Sequence, residues 1–154
     1  MRVRIHHLGL LPASARRTLF EAACRSALGP AARRNGEMNL VFVRRGPMRK
    51  INKGYLGHDY DTDVISFPYP ASKVPDAPFG DVFVSIDQAR KQAKEMGHDL
   101  SLELLTLAVH GTLHLVGYDD AKPAQKRRMF ARQDRVLRSV LRALKGSPRL
   151  VAGE

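Results

Sequence analysis

Two histidines, His110 and His114, stand four positions apart in a run that is otherwise almost entirely apolar (Leu104, Leu105, Leu107, Ala108, Val109, Leu113, Leu115, Val116). Positions i and i+4 lie on one face of a helix, one turn apart, so both imidazoles can reach a single ion. Gly117 follows three residues later. Glycine accepts the left-handed conformation that ends a helix and reverses the chain. Residues beyond it can then fold back towards the histidines. Asp120, six residues past His114, is in place to supply a third ligand. Three protein ligands leave a position for water, which is the catalytic rather than the structural pattern. Without an ion, two histidines in so apolar a helix would need other partners, because buried polar groups are costly unless satisfied.

The motif also indicates which reaction to expect. Zinc proteases use H-E-x-x-H, in which the glutamate is the general base. Here Gly111 occupies that position, which argues against peptide hydrolysis. Phosphodiester cleavage can be driven by the metal, which activates a water and offsets charge on the phosphorane-like transition state. The chain carries 26 Lys+Arg against 15 Asp+Glu, a formal charge of +11. So basic a chain points to an anionic partner, most commonly nucleic acid. A metal site without its own base in a basic chain points to a nuclease.

Much of the positive charge lies near the C-terminus, where Pro123–Leu144 reads as a long helix. Met129, Val136, Leu137, Val140, Leu141 and Leu144 fall on one face at 3.6-residue spacing. Lys126, Arg127, Arg128, Arg132, Arg135, Arg138, Arg142 and Lys145 occupy the other, with Asp134 the only acid. Solvated helix faces usually mix both signs to limit repulsion, so a stripe of one sign is better explained by phosphate contacts. Arg128, Arg132, Arg135 and Arg142 are the expected RNA contacts, with Lys53 a further candidate. A basic amphipathic helix can also lie on a membrane, but this one lacks Trp and its apolar side is needed for the core.

The elements that must position these residues follow from periodicity and breakers. Strands are expected at Val3–His7, Met38–Val43, Val64–Phe67 and Asp81–Ile86, and helices at Ala13–Leu28, Met48–Tyr55, Asp87–Met96, Leu102–Val116 and Pro123–Leu144. Tyr69–Phe79 is rich in proline and reads as a loop. Asp99 or Ser101 is the expected N-cap of the motif helix. Strands cluster early and helices close the chain, so the class is α+β, with a mixed sheet of about four strands and about five helices. There is no repeat, low-complexity tract or dividing linker, so residues 1–154 are expected to form one domain. Hydrophobic residues make up 44%, enough for one core.

Composition also excludes some classes. Cys24 is the only cysteine, which rules out an internal disulfide and any multi-cysteine metal site. It lies in an apolar helical stretch and reads as a core residue. No apolar run approaches the roughly 18 residues of a spanning helix, and the N-terminal residues lack a signal-peptide pattern. No membrane partner is therefore expected, and the expected compartment is the cytoplasm. His6, His7, His58 and His98 have no ligand-like spacing to the motif and read as surface residues; His58 lies close to the Thr62–Pro68 segment.

At its motif residues the chain resembles the YbeY family of bacterial rRNA maturation factors. His110 to Asp119 match the family signature HGxLHLxGYDH at every specified position. Thr62-Asp63-Val64-Ile65-Ser66-Phe67-Pro68 matches its TDVLSFP segment with one conservative change. Gly80-Asp81 resembles its GDI segment, and Asn52 and Tyr55 an upstream N-x-x-Y element. The matches run from Asn52 to Asp119 in the family's order and spacing. The resemblance implies an α+β fold with a zinc-bearing helix. It further implies single-strand-specific endoribonuclease activity on ribosomal RNA precursor, and a role at the small ribosomal subunit in maturation and quality control. One Zn2+ ion is the implied cofactor, with another divalent metal as the variant. His110, His114 and Asp120 are thus the candidate catalytic and metal-ligating residues. Asp119 matches the family's own aspartate, which favours a supporting role for it. There are two departures: Asp120 stands where the family has a histidine, and Leu56 where it has an arginine. The competing expectation is a ribosome-associated RNA-binding factor with a structural metal and weak or no catalysis. Ser66 and Asp63, by the same resemblance, border the cleft; strand-end hydrogen bonding is the plainer reading.

Overall fold

In the computed structural model, which describes residues 1–12 and 15–145 and side chains as far as residue 143, alternating apolar and polar residues form four strands. These are β1 (Arg2–His6), β2 (Glu37–Val43), β3 (Val64–Pro68) and β4 (Pro78–Ser85), in the spatial order β1-β2-β4-β3. β1, β2 and β4 run parallel; β3 pairs antiparallel to β4. Five α-helices occur among the described residues: α1 (Arg17–Leu28), α2 (Arg45–Leu56), α3 (Ile86–Met96), α4 (Leu100–Leu115) and α5 (Pro123–Lys145). The expected mixed α+β architecture is what the chain adopts.

Several boundaries differ from the expected ones for local reasons. Arg16 is extended (φ −116°, ψ 131°), so α1 begins at Arg17 rather than in the Ala13–Arg16 stretch; Ala13 and Ser14 lie outside the described residues. β4 starts at Pro78, inside the expected loop, because a strand's first residue can lack a backbone donor. Asp99 is the N-cap of α4 by position, without a side-chain cap bond. The side chains of Leu144 and Lys145 lie outside the described residues.

α4 is the centre of the packing. A helix apolar on all sides must be covered on all sides, and α4 contacts α1, α3, α5, β3 and β4. The main core joins Ile5, Phe20, Met38, Leu40, Phe42, Val82 and Val84 to Leu104, Leu105, Leu113 and Met129. α2 covers part of the other sheet face, where Val43, Met48 and Ile65 form a smaller cluster with Phe67 and Phe83. On that same face a polar chain crosses the strands. His6 Nε2 lies 2.7 Å from Asn39 Oδ1, Asn39 Nδ2 donates to Asp81 Oδ1 at 3.0 Å, and the Tyr69 hydroxyl donates to Asp81 Oδ2 at 2.6 Å. That carboxylate pushes the Tyr69 hydroxyl up to about 12.

How closely α4 meets the sheet depends on Gly111. A Cβ there would collide with the Val82 side chain and come within 3.0 Å of Val64 Cγ2. Gly111→Ala should therefore destabilise by about 1–3 kcal/mol through overpacking, read as a lower urea midpoint at unchanged m-value. Cys24 is fully buried, and burial pushes its thiol up to about 12. It stays protonated at pH 8, so an alkylating reagent should label it only when the chain unfolds; rapid labelling of native protein would contradict this placement.

Candidate metal centre

Helical spacing puts His110 and His114 on one face of α4, with ring centroids 4.8 Å apart. α4 ends at Leu115. Gly117, at φ 100°, turns the chain back, and Asp120 closes on the histidines. His110 Nε2 and His114 Nε2 are 3.2 Å apart; Asp120 Oδ2 is 3.4 Å from the first and 3.7 Å from the second. In a tetrahedral site with bonds of about 2.0–2.2 Å, ligand atoms lie about 3.3–3.6 Å apart. The three atoms thus form a triangle close to one face of such a site. Asp120 is the open side, with its side chain 39% exposed.

The other ring nitrogens determine what the site can hold. His110 Nδ1 is 2.8 Å from Gln133 Oε1, and His114 Nδ1 is 3.0 Å from the Tyr118 carbonyl. Each faces an acceptor oxygen, so Nδ1 carries the proton and Nε2 is left with a lone pair. Two lone pairs and a carboxylate oxygen therefore converge on one point. That donor set suits a cation, and His110, His114 and Asp120 are the group able to hold one among the described residues. Asp119 points elsewhere: its Oδ1 accepts from the backbone N–H groups of Asp120 (2.7 Å) and Ala121 (3.2 Å), shaping the turn that presents Asp120.

The surroundings add residues that motif spacing did not reveal. Gln133 is buried and comes from α5. Its one signal was a polar residue among Met129, Val136 and Val140 on that helix's apolar face. Ser66 Oγ donates to the Gly111 carbonyl at 2.8 Å, which fixes β3 to the motif helix. Asp63 caps locally, accepting from the Val64 N–H and from Gln92 Nε2. Gly111 leaves no room for the glutamate of the protease motif, because any side chain there would enter the sheet. A groove beside His114 is lined by Asn52, Leu56, His58, Tyr60, Thr62 and Ser66 among others. His58 in it stacks on Tyr60, with ring centroids 5.1 Å apart. His98 and His6, expected at the surface, are half-buried: His98 Nε2 lies 3.1 Å from Glu103 Oε2, and His6 bonds Asn39.

A comparison with known proteins agrees with the geometry. The profile of the family described as Endoribonuclease YbeY matches residues 11–141. The chain belongs to the YbeY endoribonuclease family. An Endoribonuclease YbeY of Elusimicrobium minutum is 43% identical over 140 residues, covering 89% of this chain and 98% of the relative. One from Chlorobium phaeovibrioides is 34% identical over 142 residues, covering 90% of both. A solution structure of a Thermotoga maritima protein superposes with a TM-score of 0.64 at 25% identity, over 95% of this chain and 93% of that one. YbeY membership makes this a nuclease family, and His110, His114 and Asp120, the group able to hold a metal among the described residues, lie within the matched segment.

The expected RNA contacts divide. Arg128, Arg135 and Arg142 are exposed on α5. Arg132 is half-buried and donates through Nη2 to the Ser26 carbonyl at 3.1 Å, bracing α5 against α1. Lys53 Nζ lies 3.8 Å from Asp59 Oδ2, and Arg49 Nε 3.1 Å from Asp59 Oδ1, so one carboxylate offsets both cations.

These contacts predict a graded mutant series. His110→Ala should abolish metal binding. Gln133→Leu should weaken it by about 10–100-fold by freeing the His110 ring. Asp120→Ala should weaken it markedly and Asp119→Ala less, while Asp120→His retains zinc. Metal stoichiometry and competition titrations measure all five, and unchanged affinity in Gln133→Leu would remove its orienting role.

Proposed function

We propose that the chain is a single-domain, zinc-dependent, single-strand-specific endoribonuclease, acting in the cytoplasm on ribosomal RNA precursor at the small ribosomal subunit. The observation that carries this reading is the convergence of His110 Nε2, His114 Nε2 and Asp120 Oδ2, with both Nδ1 atoms already committed. Asp120 in place of a third histidine retains the geometry and adds a harder oxygen donor, so manganese should substitute more readily than at an all-histidine site. When bound, the ion would supply Lewis acidity for activating water and stabilising charge on a phosphodiester.

The chain's own residues supply orientation. Gln133 and the Tyr118 carbonyl hold the two imidazoles, and Ser66 and Gly111 set the motif helix against β3. Phe130 is 42% exposed with its ring 5.8 Å from that of His110, and Lys126 Nζ lies 5.8 Å from the Phe130 ring. An exposed aromatic with a cation over it beside the ligands offers a face on which an unpaired base can stack. Leu56 in the groove beside His114 provides no phosphate donor there. The +11 charge supports an RNA substrate, and no helix among the described residues is long and apolar enough to cross a membrane.

A chelator separates this reading from a structural metal. Cleavage of single-stranded ribosomal RNA should stop while the circular dichroism spectrum and cooperative unfolding remain. Unfolding on chelation would favour the binding-factor alternative. Changing Arg128, Arg135 and Arg142 together to glutamate should weaken RNA binding and flatten its dependence on salt.

A further inference from the structure

A second, larger cleft of about 1270 Å³ opens beyond the Gly117–Tyr118 turn, and none of the three ligands lines it. Five cations reach its walls: Arg33 and Arg34 after α1, Lys73 in the 69–77 loop, and Arg132 and Arg135 on α5. No acidic residue lines it. None of the five makes an ion pair among the described residues. Four cations on and before α2 behave differently: Arg44 pairs with Asp87, Arg45 with Asp61, and Arg49 and Lys53 with Asp59. Five cations with no acid among them thus face one concavity, where low-dielectric walls focus the field on an anion.

Two further features suit a polymer of phosphates. Tyr69 lines the cleft, is 42% exposed, and has its ring held by the 2.6 Å bond to Asp81. Grooves for single strands pair cations for the backbone with aromatic faces for bases. The cleft also shares a wall with the metal centre, because Tyr118 lines it while the Tyr118 carbonyl accepts from His114 Nδ1. We propose that this cleft holds the phosphate backbone of single-stranded RNA on one side of the scissile bond, with Arg33, Arg34 and Lys73 as its contacts. The inference rests on the ribonuclease reading above, and it adds a binding track on the side of the motif turn away from α2.

The test uses the zinc-loaded protein and single-stranded RNA oligonucleotides of about 12 and about 4 nucleotides with phosphorothioate linkages, verified by gel to stay intact during the measurement; both lengths lie within the range of single-strand sites. Arg33 and Arg34 are exposed, so R33E/R34E should keep the fold. It is expected to bind the longer strand at least about tenfold more weakly. Two lost contacts should lower the salt slope by about 1.4. The short strand, which the metal centre and Phe130 can hold alone, should bind as before. K73E, in the 69–77 loop that also lines the cleft, should act in the same direction. Unchanged affinity and salt slope for the longer strand in both variants, with wild-type protein still binding and cutting single-stranded RNA, would overturn the cleft alone. Wild-type protein that neither binds nor cuts such RNA would overturn the ribonuclease reading and the cleft with it. Variants that lose the small ribosomal subunit but not naked RNA would overturn the proposal in favour of an acidic protein partner.

Discussion

The approach of α4 to the sheet is the constraint from which the rest follows. Gly111 has only hydrogen where any other residue would drive a side chain into Val82 and Val64. That contact lets the Ser66 hydroxyl reach the Gly111 carbonyl. It buries one side of α4 in the sheet and leaves its histidine side towards α5 and the β3 edge. Because α4 also packs on α1, α3 and α5, any displacement of it would disturb the whole core.

Within that frame the polar groups form a directed network. Gln133 and the Tyr118 carbonyl each take the proton-bearing nitrogen of one histidine, so the two remaining lone pairs meet the Asp120 carboxylate. Asp119 spends its oxygen on the backbone of the turn. Two adjacent aspartates thus divide the work, one holding the loop and the other facing the histidines. The glutamate of the protease motif is absent for a packing reason, with Gly111 in its position, and the chemistry of this helix is correspondingly different.

Charge is distributed as unevenly as polarity. Acids in the segment after α2 and at the start of α3 offset Arg44, Arg45, Arg49 and Lys53, whereas the five cations lining the cleft beyond the motif turn make no ion pair among the described residues. Net charge describes the whole molecule, but a strand of RNA would feel the local excess. Arg132 illustrates the limit of reading charge from a helical projection, because its guanidinium braces α1 through the Ser26 carbonyl.

The motif helix, the strand–helix order and the clustering of His110, His114 and Asp120 were legible in the sequence because they depend on short-range geometry: a helical period, a turn glycine and a fixed offset. The four strands were legible from their runs of strand-forming residues, although Pro78, read as loop, opens β4. The remaining features depend on distant segments meeting. Gln133 reaches His110 from 23 residues away, Ser66 reaches Gly111 from 45, and Arg132 reaches Ser26 from 106. No local period encodes those contacts. The pairing of Lys53 with Asp59 lay within a few residues, yet it required the turn after α2 to be known. The sequence by itself determined which residues carry the donors and the side of the helix that carries the two histidines. Only the tertiary structure decided which nitrogen of each ring is free and which cations are uncompensated, because both depend on packing between elements far apart in the chain.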